Sequence, residues 1–348
     1  PLLSLALSVI TFSIGGALSY AKIKSTGKTI LWLTVFESLS AFFFVFIFTF
    51  LILGYLLNIF DSMNTTLAVS LILASLAAPT DPSATLAVIH EYRAKGKVSS
   101  SMLEIAAFDD MAGIIIYTIT IAFAAMVIGN ADLQIAGVFT ELGRNIGGAL
   151  LTGFITGLIF KYVNKLFSKE NEGSLIVLTL GMVFLCYGIS DCFGFEALLA
   201  TMAMGAMVVN FNPFSDKIFD LIERYTDELV FVIFFTLSGI HLQLSSISGS
   251  FIIIVIYIVG RAIGKYSGVY SGATLLKTYP SVRKYTAGGL LPQGGIVIGL
   301  ALLLLKEPAF NNIAPKIVGI VIGAALVYEI LGPVFSKFML KKAGEIEG

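Results

Sequence analysis

Apolar residues run along this chain in long stretches, separated by short polar connections. They do not alternate with the period of two that a membrane β-barrel needs, so each stretch predicts a helix, and about 20 such residues cross a bilayer. Spans are expected at 1–20, 29–57, 65–89, 101–128, 135–160, 174–192, 194–209, 227–243, 249–272, 286–305 and 312–338, eleven in all. The connection 210–228 is the longest and most polar, and reads as linker with some helix.

Composition agrees with the pattern. Hydrophobic residues make up 57% of the chain and charged ones 13%, too apolar for a water-soluble domain of 348 residues. The prediction is an all-α polytopic membrane protein in a lipid bilayer. Lys plus Arg equal Asp plus Glu at 22 each, so net charge points to no nucleic-acid partner. Charge distribution is more informative. "KIKSTGK", "EYRAKGK", "KYVNKLFSK", "LLKTYPSVRK" and "SKFMLKK" are basic, whereas "NIFDSMN", "GNADLQ", "DCFGF" and "HLQLSSIS" lack Lys and Arg. By the positive-inside rule the basic loops are cytoplasmic, residue 1 is outside and the C-terminus inside. Cys186 and Cys192 lie in or beside an apolar run and read as packing residues, and no metal-ligating cluster or cofactor signature appears. "PLLSLALSVITF" begins without a Met and without a basic n-region, so the chain is expected to lack its start rather than to open on a signal peptide.

Features recur at a spacing of slightly over 210 residues. "ITFSIGG" resembles "FFTLSGI", Glu37 is matched by Arg261, Pro79 in "AAPTDPSAT" by Pro292 in "GGLLPQGGI", and Asp110 by Glu329. Partners lie seven spans apart, an odd number, so they cross the membrane in opposite directions. That is an inverted-topology repeat, the arrangement with which transporters open one central site to either side.

Chemistry concentrates at the matched positions. Pro79 and Pro82 lack N–H donors and disfavour helix in the preceding residues, so bonding around Thr80 and Asp81 should fail. Pro292, followed by Gly294 and Gly295, predicts the same break in the tenth span. If the breaks cross, half-helix ends meet and freed carbonyls become available to a cation. Asp109 and Asp110 lie in "LEIAAFDDMAGIIIYT", where each mid-membrane carboxylate costs about 2.5–3.5 kcal/mol. Adjacent helical residues point about 100° apart. One aspartate can therefore face a cavity with Asp81 while the other pairs with a buried cation such as Arg261 or Lys265. A carboxylate there holds a proton or a small hard cation, but not both, and competition combined with alternating access gives exchange. Arg261 reads as an ion pair bracing the broken helices, Glu37 as an ion ligand or Arg261's partner. Glu329, Lys265, Glu104 and Glu196 are weaker candidates, most of them near span ends where side chains snorkel.

"APTDPSAT", "FDDMAG", "GFEALLATMAMGAMV", Arg261 and "LLPQGGIVIGLAL" together resemble the monovalent cation:proton antiporters, the sodium/proton exchanger superfamily. The resemblance implies thirteen spans, two of them before residue 1, in one transporter domain over 1–348. It implies core halves at 29–128 and 249–338, dimerisation helices at 1–20 and 174–243, a linker helix at 135–160, a homodimer and a place in the cell membrane. Asp110 would be the ion- and proton-binding carboxylate, with Na+ held at Asp110, Asp81 and Thr80. Glu37 matches an acidic position near the ion. The chain mixes two branches: Asp-Asp belongs to one, "TDP" and Arg261 to the other, whose Arg pairs with a Glu. Ile105 and Ala106 occupy the positions of that branch's Glu-Ser pair, which makes Asp109 the expected partner of Arg261.

The expected activity is exchange of Na+ or Li+ for H+, by a transporter rather than an enzyme. The nearest alternative is a K+/H+ antiporter or K+ efflux protein of the same superfamily, which usually carries a large nucleotide-binding domain. A remote one, an intramembrane aspartyl protease, needs a GxGD element that this sequence lacks.

Overall fold

The computed structural model describes residues 2–57, 59–60, 62–129, 135–167, 172–225, 232, 236 and 250–346. In chain order the helices are α1 (Leu2–Gly16), α2 (Tyr20–Leu51), α3 (Met63–Ser75), α4 (Pro82–Glu91), α5 (Lys97–Gly129), α6 (Ile135–Phe167), α7 (Glu172–Cys192), α8 (Ala197–Phe211), α9 (Ser215–Tyr225), α10 (Phe251–Leu275), α11 (Pro280–Tyr285), α12 (Gly295–Leu303) and α13 (Ala314–Lys342). Short 3-10 or π turns extend α2, α11 and α12, and no strand occurs among the described residues. Six described helices are long and apolar enough to cross a membrane, and the bent pair formed by α11 and α12 makes a seventh. The expected span 227–243 lies largely outside the described residues.

The chain divides into two compact units, Pro1–Ser25 with Gln134–Ile240, and Thr26–Leu133 with His241–Gly348. In the first, α8 packs against α1, α6 and α7. Small residues bring the backbones together, as apolar helices in lipid require. A Cβ on Gly205 of α8 would stand 2.1 Å from the Phe12 carbonyl of α1. The polar connection expected as linker with some helix carries α9, whose Ile218, Leu221 and Ile222 are buried while Asp216, Asp220 and Glu223 are exposed. That helical stripe makes it a surface amphipathic helix rather than a span.

In the second unit α10 lies against α2 along a glycine stripe at residues 260, 264, 268 and 272. A Cβ on Gly268 would stand 2.6 Å from the Glu37 Cα. Arg261 and Lys265 each follow one of these glycines, four residues apart on one face, and both are fully buried. Gly27, at φ +83°, ψ 156°, interrupts α2 in a conformation that glycine adopts freely. The start of α5 is capped by Glu345, whose carboxylate accepts from the N–H groups of Val98 at 2.7 Å and Ser99 at 2.8 Å.

Two expected spans are broken where their prolines lie. The third consists of α3 and α4, joined by residues 76–81. Asp81 caps α4, accepting from the Ser83 N–H at 2.9 Å, and Pro82 opens the helix where its missing N–H is not needed. The tenth consists of α11 with its 3-10 extension Thr286–Leu290, then residues 291–294, then α12, and bends by 54°.

Candidate functional site

The two breaks meet within the second unit. The Asp81 N–H donates to the Pro292 carbonyl at 3.0 Å, the Thr85 hydroxyl donates to the Gly289 carbonyl at 2.6 Å, and Thr80 Oγ1 lies 3.2 Å from the Leu290 carbonyl. These bonds satisfy part of the backbone that the prolines release at membrane depth. Approach is close enough that a Cβ on Gly294 would stand 2.3 Å from Asp81 Oδ2.

The sequence suggests that freed carbonyls serve a transported cation. In the structure the protein's own cations take them. The Arg261 guanidinium donates to the carbonyls of Ala77 at 2.9 Å, Pro79 at 2.8 Å and Leu291 at 2.6 Å, and it lies 4.7 Å from the Tyr328 ring centre. Carbonyls from both breaks converge on one planar fork of donors. Arg261 therefore braces the crossing through backbone, and the expected Arg261–Asp109 ion pair is not formed. Tyr257 and Gln293 add to the brace, donating to the Leu76 carbonyl at 2.9 and 2.8 Å.

Lys265, one turn along α10, is the partner of the acids. Its Nζ pairs with Glu37 Oε1 and lies 3.4 Å from Asp109 Oδ2. It also donates to the Ala78 carbonyl at 2.7 Å and to Thr80 Oγ1 at 2.9 Å. Glu37 thus belongs to Lys265 rather than to Arg261. Asp109 accepts from the Thr80 N–H at 3.2 Å and from the Thr80 hydroxyl. Thr80, expected beside Na+, spends its hydroxyl on Asp109 and Lys265. Glu37, Lys265 and Asp109 are completely buried. A charged group so placed is stable only when paired and hydrogen-bonded, and here each one is.

Asp110 stands apart. It is 5% exposed, and its Oδ1 has no hydrogen-bond partner. Its carboxyl lies within electrostatic range of those of Asp109 and Asp81. Asp81 is half-buried and interacts with Glu329, which lies in the middle of α13 as the sequence places it. Glu329 Oε1 is buried without a partner. Among the described residues, no three His, Cys, Asp or Glu side chains gather tightly enough to cage a metal ion. Glu104 lies on α5, and Glu196 precedes α8 in the other unit. Cys186 is buried, Cys192 exposed, and neither is bonded to another cysteine.

A crossing of two broken helices, with an aspartate pair on the next helix and buried cations behind it, is the setting in which comparison with known proteins becomes decisive. The family model "Sodium/hydrogen exchanger, transmembrane" matches residues 2–342. The chain belongs to the sodium/hydrogen exchanger family. Curated relatives include the low-affinity Na+/H+ antiporter NhaS1 of Synechocystis sp., 23% identical over 79% of this chain and 54% of the relative. The Na+/H+ antiporter NhaH of Halobacillus dabanensis is 24% identical over 82% and 71%, and cation/H+ antiporter 20 of Arabidopsis thaliana is 24% identical over 62% and 26%. The chain thus spans between about a quarter and three quarters of the length of these relatives. Among solved structures, the sodium proton antiporter MjNhaP1 from Methanocaldococcus jannaschii at pH 8 superposes with a TM-score of 0.73 at 19% identity, over 97% of this chain and 85% of that one, so the two share a fold.

Within this exchanger-family fold, the residues that sequence reasoning undervalued are Lys265, Glu329 and Gln293. Each carried a signal. Lys265 follows Arg261 by four positions on the same face, Glu329 is the repeat counterpart of Asp110, and Gln293 lies 213 residues after Thr80, the separation between Pro292 and Pro79.

Proposed function

We propose that this chain is a secondary active antiporter that exchanges Na+ or Li+ for H+ by alternating access, with cation and proton competing for Asp110. The observation that carries the reading is the contrast within the aspartate pair. Asp109 is held by Thr80 and Lys265, whereas Asp110 keeps an unpartnered buried oxygen within electrostatic range of Asp81. A buried acceptor without a partner costs about 1–3 kcal/mol. Taking up either a proton or a cation relieves that cost, and the two cannot occupy the same oxygen together. The relatives' names, which specify Na+/H+ or cation/H+ antiport, support the same exchange.

In this reading the unit Thr26–Leu133 with His241–Gly348 is the ion-carrying core, and the unit Pro1–Ser25 with Gln134–Ile240 is the scaffold through which two copies pair. The protein works as a homodimer in the plasma membrane, with its basic loops and C-terminus in the cytoplasm. Inverted repeats give the core two pseudo-equivalent arrangements, one open to each side.

The test is a dye-reported pH gradient in proteoliposomes, with Na+, Li+ or K+ added to wild type and to Asp110→Asn. Wild type dissipates the gradient on addition of Na+ or Li+ and Asp110→Asn does not. Full exchange by Asp110→Asn would refute the reading.

A further inference from the structure

Three short segments of the second unit, 92–97, 277–284 and 337–342, carry three cations each and no acid. Eight of these nine side chains are exposed, and among the described residues none of the nine pairs with a carboxylate. The fold gathers the segments at one end of the unit. Lys97, which opens α5, stands 5.4 Å from the ring centre of Tyr279, the residue before α11. Lys337, near the end of α13, donates to the hydroxyl of Tyr92, the residue after α4, at 2.9 Å. Glu345 ties the end of α13 to the start of α5, and its carbonyl accepts from the Lys95 N–H at 3.4 Å. Ala94, Val98, Val282 and Leu340, drawn from all of these elements, share one buried apolar cluster.

Such a gathering works against the fold. Nine like charges repel one another, and Lys97 stands at a helix N-terminus, which is itself positive. The nearby acids do not offset them. Glu345 spends both carboxylate oxygens on the N–H groups of Val98 and Ser99, and exposed Glu91 pairs with none of the nine. Arg283 lays its guanidinium 5.3 Å from the Tyr270 ring centre and leaves Nε without an acceptor.

An external anion would relieve the repulsion, and the surroundings indicate its kind. Helices α5, α10 and α13 are each long and apolar enough to cross a membrane, and each has a terminus here, so the charges stand at the level of lipid headgroups. Apolar side chains are exposed among them, Leu275 at 67%, Tyr279 at 60% and Phe338 at 52%, with Lys342 Nζ 5.6 Å from the Phe338 ring centre. An acidic protein segment answers the charge alone. A phospholipid joins a phosphate to acyl chains and answers both features, and clusters of about four to eight Lys or Arg at span ends attract anionic lipid.

We propose that this end of the second unit is a docking face for anionic phospholipids, whose headgroup phosphates the three basic segments hold while Leu275, Tyr279 and Phe338 meet the acyl chains.

The test follows thermal unfolding of the purified full chain in neutral detergent as phosphatidylglycerol, phosphatidylcholine, inorganic phosphate or polyglutamate is added, with ionic strength fixed by choline chloride. Phosphatidylglycerol should raise the unfolding temperature saturably, and the other three should not. Lys284→Gln combined with Lys341→Gln should unfold like wild type without lipid. It should raise the half-saturating mole fraction of phosphatidylglycerol about 25-fold, since each cation near an anionic surface is worth about fivefold in affinity. Lys161→Gln combined with Lys217→Gln removes as much charge from the other unit and should leave half-saturation within about twofold of wild type. Equal shifts in the two double variants would reduce the effect to net charge and overturn the proposal. An absent response to phosphatidylglycerol, or an equal response to phosphatidylcholine, phosphate or polyglutamate, would overturn it as well.

Discussion

Asp109 and Asp110 are consecutive on α5, yet their carboxyls meet opposite surroundings. Asp109 accepts two bonds from Thr80 and lies 3.4 Å from the Lys265 ammonium, while Asp110 Oδ1 is buried against no donor. The cause is helical geometry. A rotation of about 100° separates the two side chains, so that the one bonded to Thr80 and Lys265 does not share those partners with the next. One residue serves as fixed architecture and its neighbour remains available.

The cluster of Glu37, Lys265 and Asp109 should be costly to break from the cation side. Lys265→Met leaves two buried carboxylates without their ammonium, and removing one member of a buried pair costs about 3–5 kcal/mol. Thermal unfolding in detergent should show a large drop for Lys265→Met. Adding Glu37→Gln, which removes one of the stranded charges, should recover part of it. A single variant as stable as wild type would contradict the pairing.

Arg261→Lys tests the brace. An ammonium concentrates its donors at one point and cannot span the carbonyls of Ala77, Pro79 and Leu291 as the planar fork does. Hydrogen bonds to charged groups contribute about 1.5–3 kcal/mol each, so loss of even one should lower the unfolding temperature measurably. Exchange in proteoliposomes should fall with it. Unchanged stability together with unchanged exchange would show that the carbonyls do not need the guanidinium.

Gly294→Ala should separate fold from binding. The added Cβ would stand 2.3 Å from Asp81 Oδ2, so the Asp81 carboxylate must move. The helices should remain, as reported by circular dichroism, while the apparent Na+ affinity falls roughly tenfold, about 1.4 kcal/mol. Gly181→Ala on α7 is the control, since a Cβ there meets nothing within 4 Å and should change neither property.

The sequence already carries the helical architecture and the position of both breaks. Long apolar runs admit few alternatives in lipid, and Pro79 and Pro292 lie within the two breaks while Pro82 opens the helix that follows the first. The wiring between elements was less accessible. Whether Arg261 or Lys265 meets Asp109 depends on a rise of one helical turn along α10 relative to α3 and α5, which spacing within α10 does not reveal. The carbonyl partners of Arg261 were hidden for a similar reason, because they exist as acceptors only after both breaks have crossed. Glu329 is legible as the repeat counterpart of Asp110, but its spacing alone does not show that Gly332, one turn on, packs against Pro292. At residues 215–225 the short apolar stripe at Ile218, Leu221 and Ile222 was present in a segment otherwise polar enough to read as linker with some helix.

The claim that proton and cation compete for Asp110 is tested most directly by the pH dependence of the apparent KM for Na+ in proteoliposomes. A proton that occupies the carboxylate excludes the cation, so lowering pH must raise KM. On the acidic side the account predicts a rise of about tenfold per pH unit for one competing proton, with the maximal rate nearly constant. An apparent KM that stays flat across this range, in a protein that still exchanges, would contradict it.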